Sequence, residues 1–313
     1  MDAMELHGMH HITAITGDAP ANVEFYVGVL GLRMVKKTVN QDDPTVYHLF
    51  YADEQGSPGS DLTFFEYPGV GRGVPGAGMV HRIVWRVGSP AAFGFWEERL
   101  RGAGLNPART DVSLRLADPE GLEHELVVYD GPDAPLIADA PDVPAEHALQ
   151  GFDGVRAYTQ DPERSARLLR DVLGFRGGDD GDWEVRGSER GGFYAYDPAP
   201  PVRPIQAGGS VHHVAFASRR EEQTAWQEHV ASSRLAHPTP IIDRFYFESI
   251  YFREPSGVLF EIATMGPGFS ADEDPDHLGE RLSLPPRFER LRAQVEQTLT
   301  PLPDPRARKT AAS

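Results

Sequence analysis

Short apolar segments, rich in β-branched and aromatic residues, begin four similar stretches of the chain. They lie at residues 9–14, 80–85, 155–158 and 211–216, and each has a histidine or an arginine as its second residue. Segments of this length and composition are typical of β-strands. Because the same pattern returns four times, the sequence indicates internal repeats, each beginning with a strand.

A helix is predicted after each of these strands. Polar residues that favour a helix N-terminus stand at Asp18, Ser89, Asp161 and Ser218, and apolar residues at helical spacing follow them. Ser218 is followed three residues later by Glu221, which is a capping-box pattern. The first three helices are each followed by glycine, the residue that most often ends a helix.

Two further strand-like segments follow each helix, and the turn between the last two also repeats. Asp-Pro-Glu-Gly at residues 118–121 matches Glu-Pro-Ser-Gly at residues 254–257. In such turns proline fixes φ and glycine permits a positive φ. The sequence therefore predicts an α+β fold of four βαβββ modules, at residues 7–67, 79–130, 152–197 and 210–265.

We expect two modules to form one domain. This places an N-terminal domain at residues 1–135 and a C-terminal domain at residues 148–268, with a linker rich in proline, alanine and aspartate between them. The remaining tail, residues 269–313, is predicted to contain a short helix at about 286–298 and a frayed end from residue 301.

Composition narrows the class of partner. The chain has 313 residues, with 30 basic and 47 acidic side chains and a net charge of −17. This balance argues against nucleic acid or an anionic membrane as a partner, because both attract basic surfaces. There is no cysteine, and no apolar run is long enough to cross a bilayer. We expect a cytoplasmic protein acting on a small molecule; a homo-oligomer remains open.

The repeats also predict which residues bind a metal. At the second residue of each histidine pair, the first module has His11 and the fourth has His213, and the fourth adds Glu261 on its last strand. Two histidines and one carboxylate with open positions opposite form the arrangement used for non-haem Fe(II) and O₂ chemistry. We therefore expect modules one and four to share one metal-binding cup.

The other two modules are predicted to form a second cup that has lost its metal. The position equivalent to the metal-binding histidine is Arg82 in module two and Ala157 in module three. Module two keeps a carboxylate, Glu125, for which an ion pair with Arg82 is the expected role.

Three motifs carry a family resemblance: His-His-Ile-Thr at residues 10–13, Val-His-His-Val-Ala-Phe at 211–216, and Tyr-Phe-Arg-Glu-Pro-Ser-Gly-Val-Leu-Phe-Glu-Ile-Ala at 251–263. With the paired modules, they resemble the vicinal oxygen chelate superfamily, which includes glyoxalase I, extradiol dioxygenases and bleomycin-resistance proteins. More narrowly, the chain resembles the hydroquinone-type ring-cleaving dioxygenases. The resemblance covers nearly the whole chain.

This resemblance implies an Fe(II)-dependent enzyme, with Mn(II) as a possible alternative, that cleaves a small hydroquinone-like or catechol-like aromatic with O₂. It places the metal triad on His11, His213 and Glu261. It gives supporting roles near the metal to five further residues: His10, Thr13, His212, Arg244 and Tyr251.

Two of the supporting residues have an alternative interpretation. Arg244 is expected to stabilise anionic oxygen, but a surface ion pair with Asp243 or Glu248 is the alternative. Tyr251 is expected to donate a proton to an oxygen intermediate, but core packing is the alternative. The histidines outside the two pairs, including His48, are predicted to be structural.

Two other functions compete with ring cleavage. A glyoxalase-type isomerase or lyase would most often use four protein ligands, and Glu66 stands where a fourth ligand lies in such proteins; the rim of the cup is the other position considered for Glu66. A non-catalytic binding protein of the bleomycin-resistance kind is the third possibility. Such proteins are usually chains of two modules without a full triad.

Overall fold

Two eight-stranded mixed sheets dominate the computed structural model, which describes residues 4–177 and 181–310. The strands are β1 (Met9–Thr16), β2 (Arg33–Val39), β3 (Tyr47–Ala52), β4 (Asp61–Glu66), β5 (Met79–Val87), β6 (Ala108–Arg109), β7 (Ser113–Ala117), β8 (Glu123–Val128), β9 (Phe152–Thr159), β10 (Arg176–Gly177), β11 (Asp182–Arg186), β12 (Gly191–Pro198), β13 (Val211–Ser218), β14 (Ile242–Asp243), β15 (Glu248–Arg253) and β16 (Leu259–Thr264). The predicted α+β class is confirmed.

The strand order shows which modules combine. One sheet has the order β14-β15-β16-β13-β1-β4-β3-β2, and the other has β10-β11-β12-β9-β5-β8-β7-β6. In both sheets the first strands of two modules pair antiparallel at the centre, and each pairs in parallel with a later strand of its own module. Module one therefore shares a sheet with module four, as predicted, and module two with module three.

Each sheet takes one module from each half of the chain. The strand pairing consequently does not test the division into domains at residues 135 and 148, which stays a prediction. One apolar cluster extends through both sheets and the helices that cover them, including buried residues such as Leu62 and Val155. The two sheets thus share a continuous core.

The helices are α1 (Ala19–Val23), α2 (Ala91–Gly102), α3 (Glu163–Arg167), α4 (Gln223–Ser233), α5 (Arg292–Thr298) and α6 (Pro305–Thr310), and π-helical turns extend α1 and α3. Asp18 caps α1 by accepting a hydrogen bond from the Ala21 amide. The expected capping box at Ser218 is wrong. Ser218 is the last residue of β13, and Arg219 remains extended before the helical turn. The Ser218 hydroxyl instead hydrogen-bonds to Gln223.

The tail is attached to β2 through a buried charge cluster. The Lys36 ammonium, which is fully buried, donates to the carboxylates of Asp272 and Glu273 and to the Phe269 carbonyl. The predicted helix at about 286–298 is confirmed as a 3₁₀ segment, Pro286–Leu291, followed by α5.

The expectation of a frayed end from residue 301 is wrong for residues 305–310. Residues 305–310 form α6, and Arg306 pairs with Glu54 at 3.1 Å. Residues 311–313 lie outside the described part of the chain. No helix among the described residues combines the length and apolar character that a membrane span requires.

Candidate metal centre

His11, His213 and Glu261 converge on one point at the centre of the first sheet. They lie on β1, β13 and β16, which are neighbours in the strand order. The Glu261 Oε2 atom is 3.2 Å from His11 Nε2 and 2.9 Å from His213 Nε2, and the two nitrogens are 3.2 Å apart. All three side chains are buried, and they form the one group of three potential metal ligands among the described residues. The pairing of β13 with β1 on one side and with β16 on the other therefore creates the cluster.

The donor set fits a metal ion. Glu261 Oε2 is buried and receives no hydrogen bond of good geometry from the described residues, although both imidazoles face it. A buried, unsatisfied carboxylate oxygen is costly unless a cation or donor meets it. Two imidazole nitrogens and one carboxylate oxygen are ligands that divalent iron or manganese accepts.

Neighbouring polar groups orient each ligand. His10 Nδ1 lies 2.9 Å from His11 Nδ1, and His212 Nδ1 lies 2.8 Å from His213 Nδ1. The Ser249 hydroxyl donates to the other oxygen of Glu261. Contacts of this kind fix the tautomer and the direction of a metal-binding side chain. Each histidine is thereby held with Nε2 turned to the shared point.

The histidine pairs do not diverge as strand alternation suggests. Alternation predicts that His212 and His213 point to opposite faces. Their ring centroids are nevertheless 5.1 Å apart in an edge arrangement, and both residues line the same cavity. Alternation fixes the direction of the Cα–Cβ bond, whereas rotation about the side-chain bonds brings the two imidazole edges together.

Burial controls the charge of the histidines. It lowers the pKa of His10 and of His212 to about 3, and the neighbouring histidine acts in the same direction in each pair. Burial also opposes ionisation of Glu261, but attraction from His11 and His213 outweighs it and holds the pKa of the carboxyl well below its ordinary value. The centre thus combines an ionised carboxylate with neutral supporting imidazoles.

A cavity of 340 Å³ opens in front of the triad. Modules one and four both line it, and its walls carry these aromatic residues: Phe50, Phe65, Tyr246, Phe247 and Tyr251. The supporting residues Thr13, His212 and Arg244 line it as well, whereas His10 contacts His11 and Phe247 from behind. All five predicted supporting residues therefore lie at the cavity or against a ligand.

Arg244 contacts module one rather than the partners considered from sequence. Its Nε donates to the Tyr251 hydroxyl at 3.3 Å, and its Nη1 lies 3.3 Å from Asp42. Glu248 pairs with Arg220 instead. Burial opposes the charge of Arg244, but Tyr251 and Asp42 outweigh it and raise the pKa of the guanidinium. Burial also raises the pKa of Tyr251, so its hydroxyl keeps its proton.

Two residues of the cavity region, Thr63 and His48, were not identified from the sequence. The Thr13 hydroxyl lies 2.8 Å from the Thr63 hydroxyl, which lies 2.9 Å from His48 Nε2. Burial lowers the pKa of His48 well below its ordinary value, and the nearby triad histidines act in the same direction. His48 lines the cavity, so its predicted structural role is incomplete. Alternation along β3, which places His48 on the same face as Phe50, was the available signal.

The strand register identifies Thr63 as the counterpart of Glu261. In module four, Ala215 pairs with Glu261, and in module one the equivalent residue, Thr13, pairs with Thr63. Glu66 lies three residues further along β4, accepts a hydrogen bond from the Ala19 amide, and is not among the described residues that line the cavity. The symmetry-related fourth position therefore holds a hydroxyl.

The second cup contains no equivalent triad in the described residues. By strand pairing, Val155 in the second sheet is equivalent to Val214 in the first. Gly154, and not Ala157, is therefore the counterpart of His213. By the same register Ala195 replaces Glu261. The expectation about Ala157 is wrong, because the strand repeat of module three begins three residues earlier, at Phe152.

The predicted ion pair lies at the wall of the second cup. Arg82 contacts Glu125 at 3.2 Å and Glu123 at 2.9 Å, where the first sheet has His11 and its surroundings. The cup remains open as a cavity of 580 Å³ with charged walls. A guanidinium thus stands in the place of a metal ligand.

Fold and site together define a protein of paired βαβββ modules with a buried His-His-Glu triad suited to a metal ion. The sequence model of the Glyoxalase/Bleomycin resistance protein/Dioxygenase superfamily matches residues 8–126 and 151–262. The chain belongs to this superfamily.

Similar proteins include ring-cleaving enzymes. The chain is 40% identical to the Bacillus subtilis protein named "Putative ring-cleaving dioxygenase MhqO", over 96% of this chain and 97% of that protein. It is 31% identical to the chlorohydroquinone/hydroquinone 1,2-dioxygenase of Sphingobium indicum, over 94% and 96% of the two chains. A crystal structure described as a "putative dioxygenase" from Bacillus subtilis has a TM-score of 0.88 and 37% identity, and the match covers 96% of this chain and 99% of that one. Glyoxalase I from Zea mays, with a TM-score of 0.58 and 16% identity over 84% and 93%, shares the fold.

Proposed function

We propose that this protein is an Fe(II)-dependent dioxygenase that cleaves the ring of a hydroquinone-like aromatic with O₂. The observation that carries this proposal is the buried triad of His11, His213 and Glu261, whose two histidines line a cavity with aromatic walls. A hydroquinone dioxygenase with 31% identity over nearly the full chain supports the choice of substrate class.

The number of protein ligands favours ring cleavage over glyoxalase-type isomerisation. An isomerase of that type would most often use four protein ligands. Here the position related by symmetry to Glu261 is Thr63, whose hydroxyl is engaged with Thr13 and His48. Three protein ligands leave positions for both a phenolic oxygen and O₂.

The residues around the triad have separate tasks. Fe(II), when bound, supplies redox chemistry toward O₂ and a Lewis-acidic position for a phenolic oxygen. Arg244 keeps a positive charge at the cavity wall, where it stabilises negative charge that develops on substrate oxygen. Tyr251 offers a protonated hydroxyl beside it. His212 also lines the cavity, where its neutral imidazole is placed to hydrogen-bond to the substrate.

The test is O₂ uptake by protein loaded with Fe(II) under anaerobic conditions and then given hydroquinone, methylhydroquinone or catechol. We expect uptake with the two hydroquinones and incorporation of both atoms of ¹⁸O₂ into the product. Parallel loading with Mn(II) tests which metal supports the reaction. Absence of uptake with every dihydroxybenzene, together with turnover of a thiol hemithioacetal, would replace this proposal with the isomerase.

A further inference from the structure

His48 is a polar side chain set into an aromatic surface of the cavity. It lies on β3, and its ring centroid is 4.0 Å from that of Phe50 and 4.4 Å from that of Phe65. All three residues line the cavity, and Phe65 also approaches the triad, with its ring centroid 6.3 Å from that of His213. The imidazole of His48 therefore lies on the part of the cavity wall that module one forms, with Phe65 between it and the triad.

One nitrogen of His48 is fixed and the other is available. Nε2 lies 2.9 Å from the Thr63 hydroxyl, which is held in turn by Thr13. Nδ1 has no hydrogen-bond partner among the described residues, and it is not one of their fully buried unsatisfied atoms. An imidazole with one nitrogen anchored and the other facing a cavity is oriented to meet a ligand.

The surroundings of His48 limit which ligand group it meets. If the ring of an aromatic ligand packs against Phe50 and Phe65, the substituents in its plane extend along the same aromatic surface. His48 is the polar side chain within that surface. A hydroxyl buried there against apolar rings alone would lose its hydrogen bonds to water, which costs free energy. A site that hydrogen-bonds a substrate hydroxyl favours that substrate over analogues that lack the hydroxyl.

We propose that Nδ1 of His48 binds the second hydroxyl group of the aromatic substrate, the one that is not directed to the triad, and so selects dihydroxybenzenes over monophenols. This inference rests on the proposed function, since it assumes that a phenolic ring occupies the cavity. Thr63 acts as a positioning residue, because it reaches the substrate only through His48.

The experiment compares the binding of hydroquinone and 4-methylphenol to the Fe(II)-loaded full chain without O₂. The two ligands have nearly the same shape and differ by one hydroxyl group. We expect hydroquinone to bind the unaltered protein about 3- to 10-fold more tightly, the range that one hydrogen bond provides. His48→Leu should bring this ratio to about one by weakening hydroquinone binding and leaving 4-methylphenol unchanged.

Two further variants keep the test decisive if His48→Leu does not fold. His48→Asn, which retains a polar group near the position of Nδ1, should preserve part of the ratio. Thr63→Val, which leaves the imidazole in place but unanchored, should reduce it. The control is His229→Leu, since His229 on α4 also makes one hydrogen bond, to the Val172 carbonyl, and does not line the cavity; the ratio should not change.

A ratio that stays at the unaltered value in His48→Leu or in both alternative variants overturns the inference. Equal binding of the two ligands by the unaltered protein does so as well. Failure of the proposed function has a different appearance: no O₂ uptake with any dihydroxybenzene, whatever the binding ratio.

Discussion

Replacing Lys36 with methionine should destabilise the protein strongly. The Lys36 side chain is fully buried, and its ammonium contacts Asp272 at 2.7 Å as well as Glu273, whose side chain is only 4% exposed. Methionine fills similar volume but leaves Glu273 buried and ionised without its partner. Removal of one member of a buried ion pair costs about 3–5 kcal/mol of unfolding free energy.

Lys37 provides the matched control, because it is the next residue on the same strand. Its ammonium makes one hydrogen bond, to the Glu280 carbonyl at 3.2 Å, and the residue is only partly buried. Lys37→Met should therefore cost no more than about 1.5 kcal/mol. Urea unfolding followed by the fluorescence of the four buried tryptophans measures both losses.

A second substitution separates the buried charge from lost packing. In the Lys36→Met background, Glu273→Leu should recover a large part of the loss, because an apolar pair of similar volume removes the unpaired carboxylate. Equal losses for Lys36→Met and Lys37→Met, or no recovery in the double variant, would refute the reasoning that the buried charge cluster holds the tail on β2.

The metal centre gives the remaining predictions. His213→Ala should abolish tight iron binding, since one of three ligands is lost, and full iron content in this variant would reject the triad. Ser249→Ala should weaken metal affinity about 10- to 100-fold in a metal titration while circular dichroism stays unchanged, because Glu261 loses the donor that orients it. Arg244→Ala and Tyr251→Phe should lower turnover while iron remains bound, and unchanged rates in both would return these residues to structural roles. Separate fragments 1–140 and 145–313 should each fail to bind iron tightly; tight binding by either fragment would contradict a site shared between modules one and four.

The repeats made the module pairing predictable, but charged and irregular segments hid other features. β2 has two lysines in seven residues and does not look like a central part of a core. Lys36 is buried there only because carboxylates more than 230 residues later in the sequence neutralise it. The start of α4 was misplaced because Ser218 and Glu221 fit a local pattern, whereas β13 extends through Ser218 and uses its hydroxyl elsewhere.

The candidate ligands were predictable because each is defined within one repeat, whereas the cavity wall is defined between strands. His48 reaches the cavity through its place on β3 and its contact with Thr63 on β4, and no spacing along the chain encodes that contact. The contact of Arg244 with Asp42 likewise joins modules one and four. Contacts of this kind follow from strand order, which the sequence indicates only through the repeats.

Register explains how two cups of the same construction differ chemically. Four equivalent positions surround each cup, and in the first they hold His11, His213, Glu261 and Thr63. Three of these residues are of types that bind metals, and the fourth offers a neutral hydroxyl, which contacts His48.

In the second cup the same four positions hold Arg82, Gly154, Ala195 and Glu125. Only the carboxylate is a potential metal ligand, and it is already paired with the guanidinium at 3.2 Å. A buried carboxylate needs a cation, and each cup meets that need differently: the second with an arginine from its own sheet, and the first, by our proposal, with iron. The two cups therefore differ in chemistry without a difference in strand order, because the second holds an arginine, a glycine and an alanine where the first holds its three candidate metal ligands.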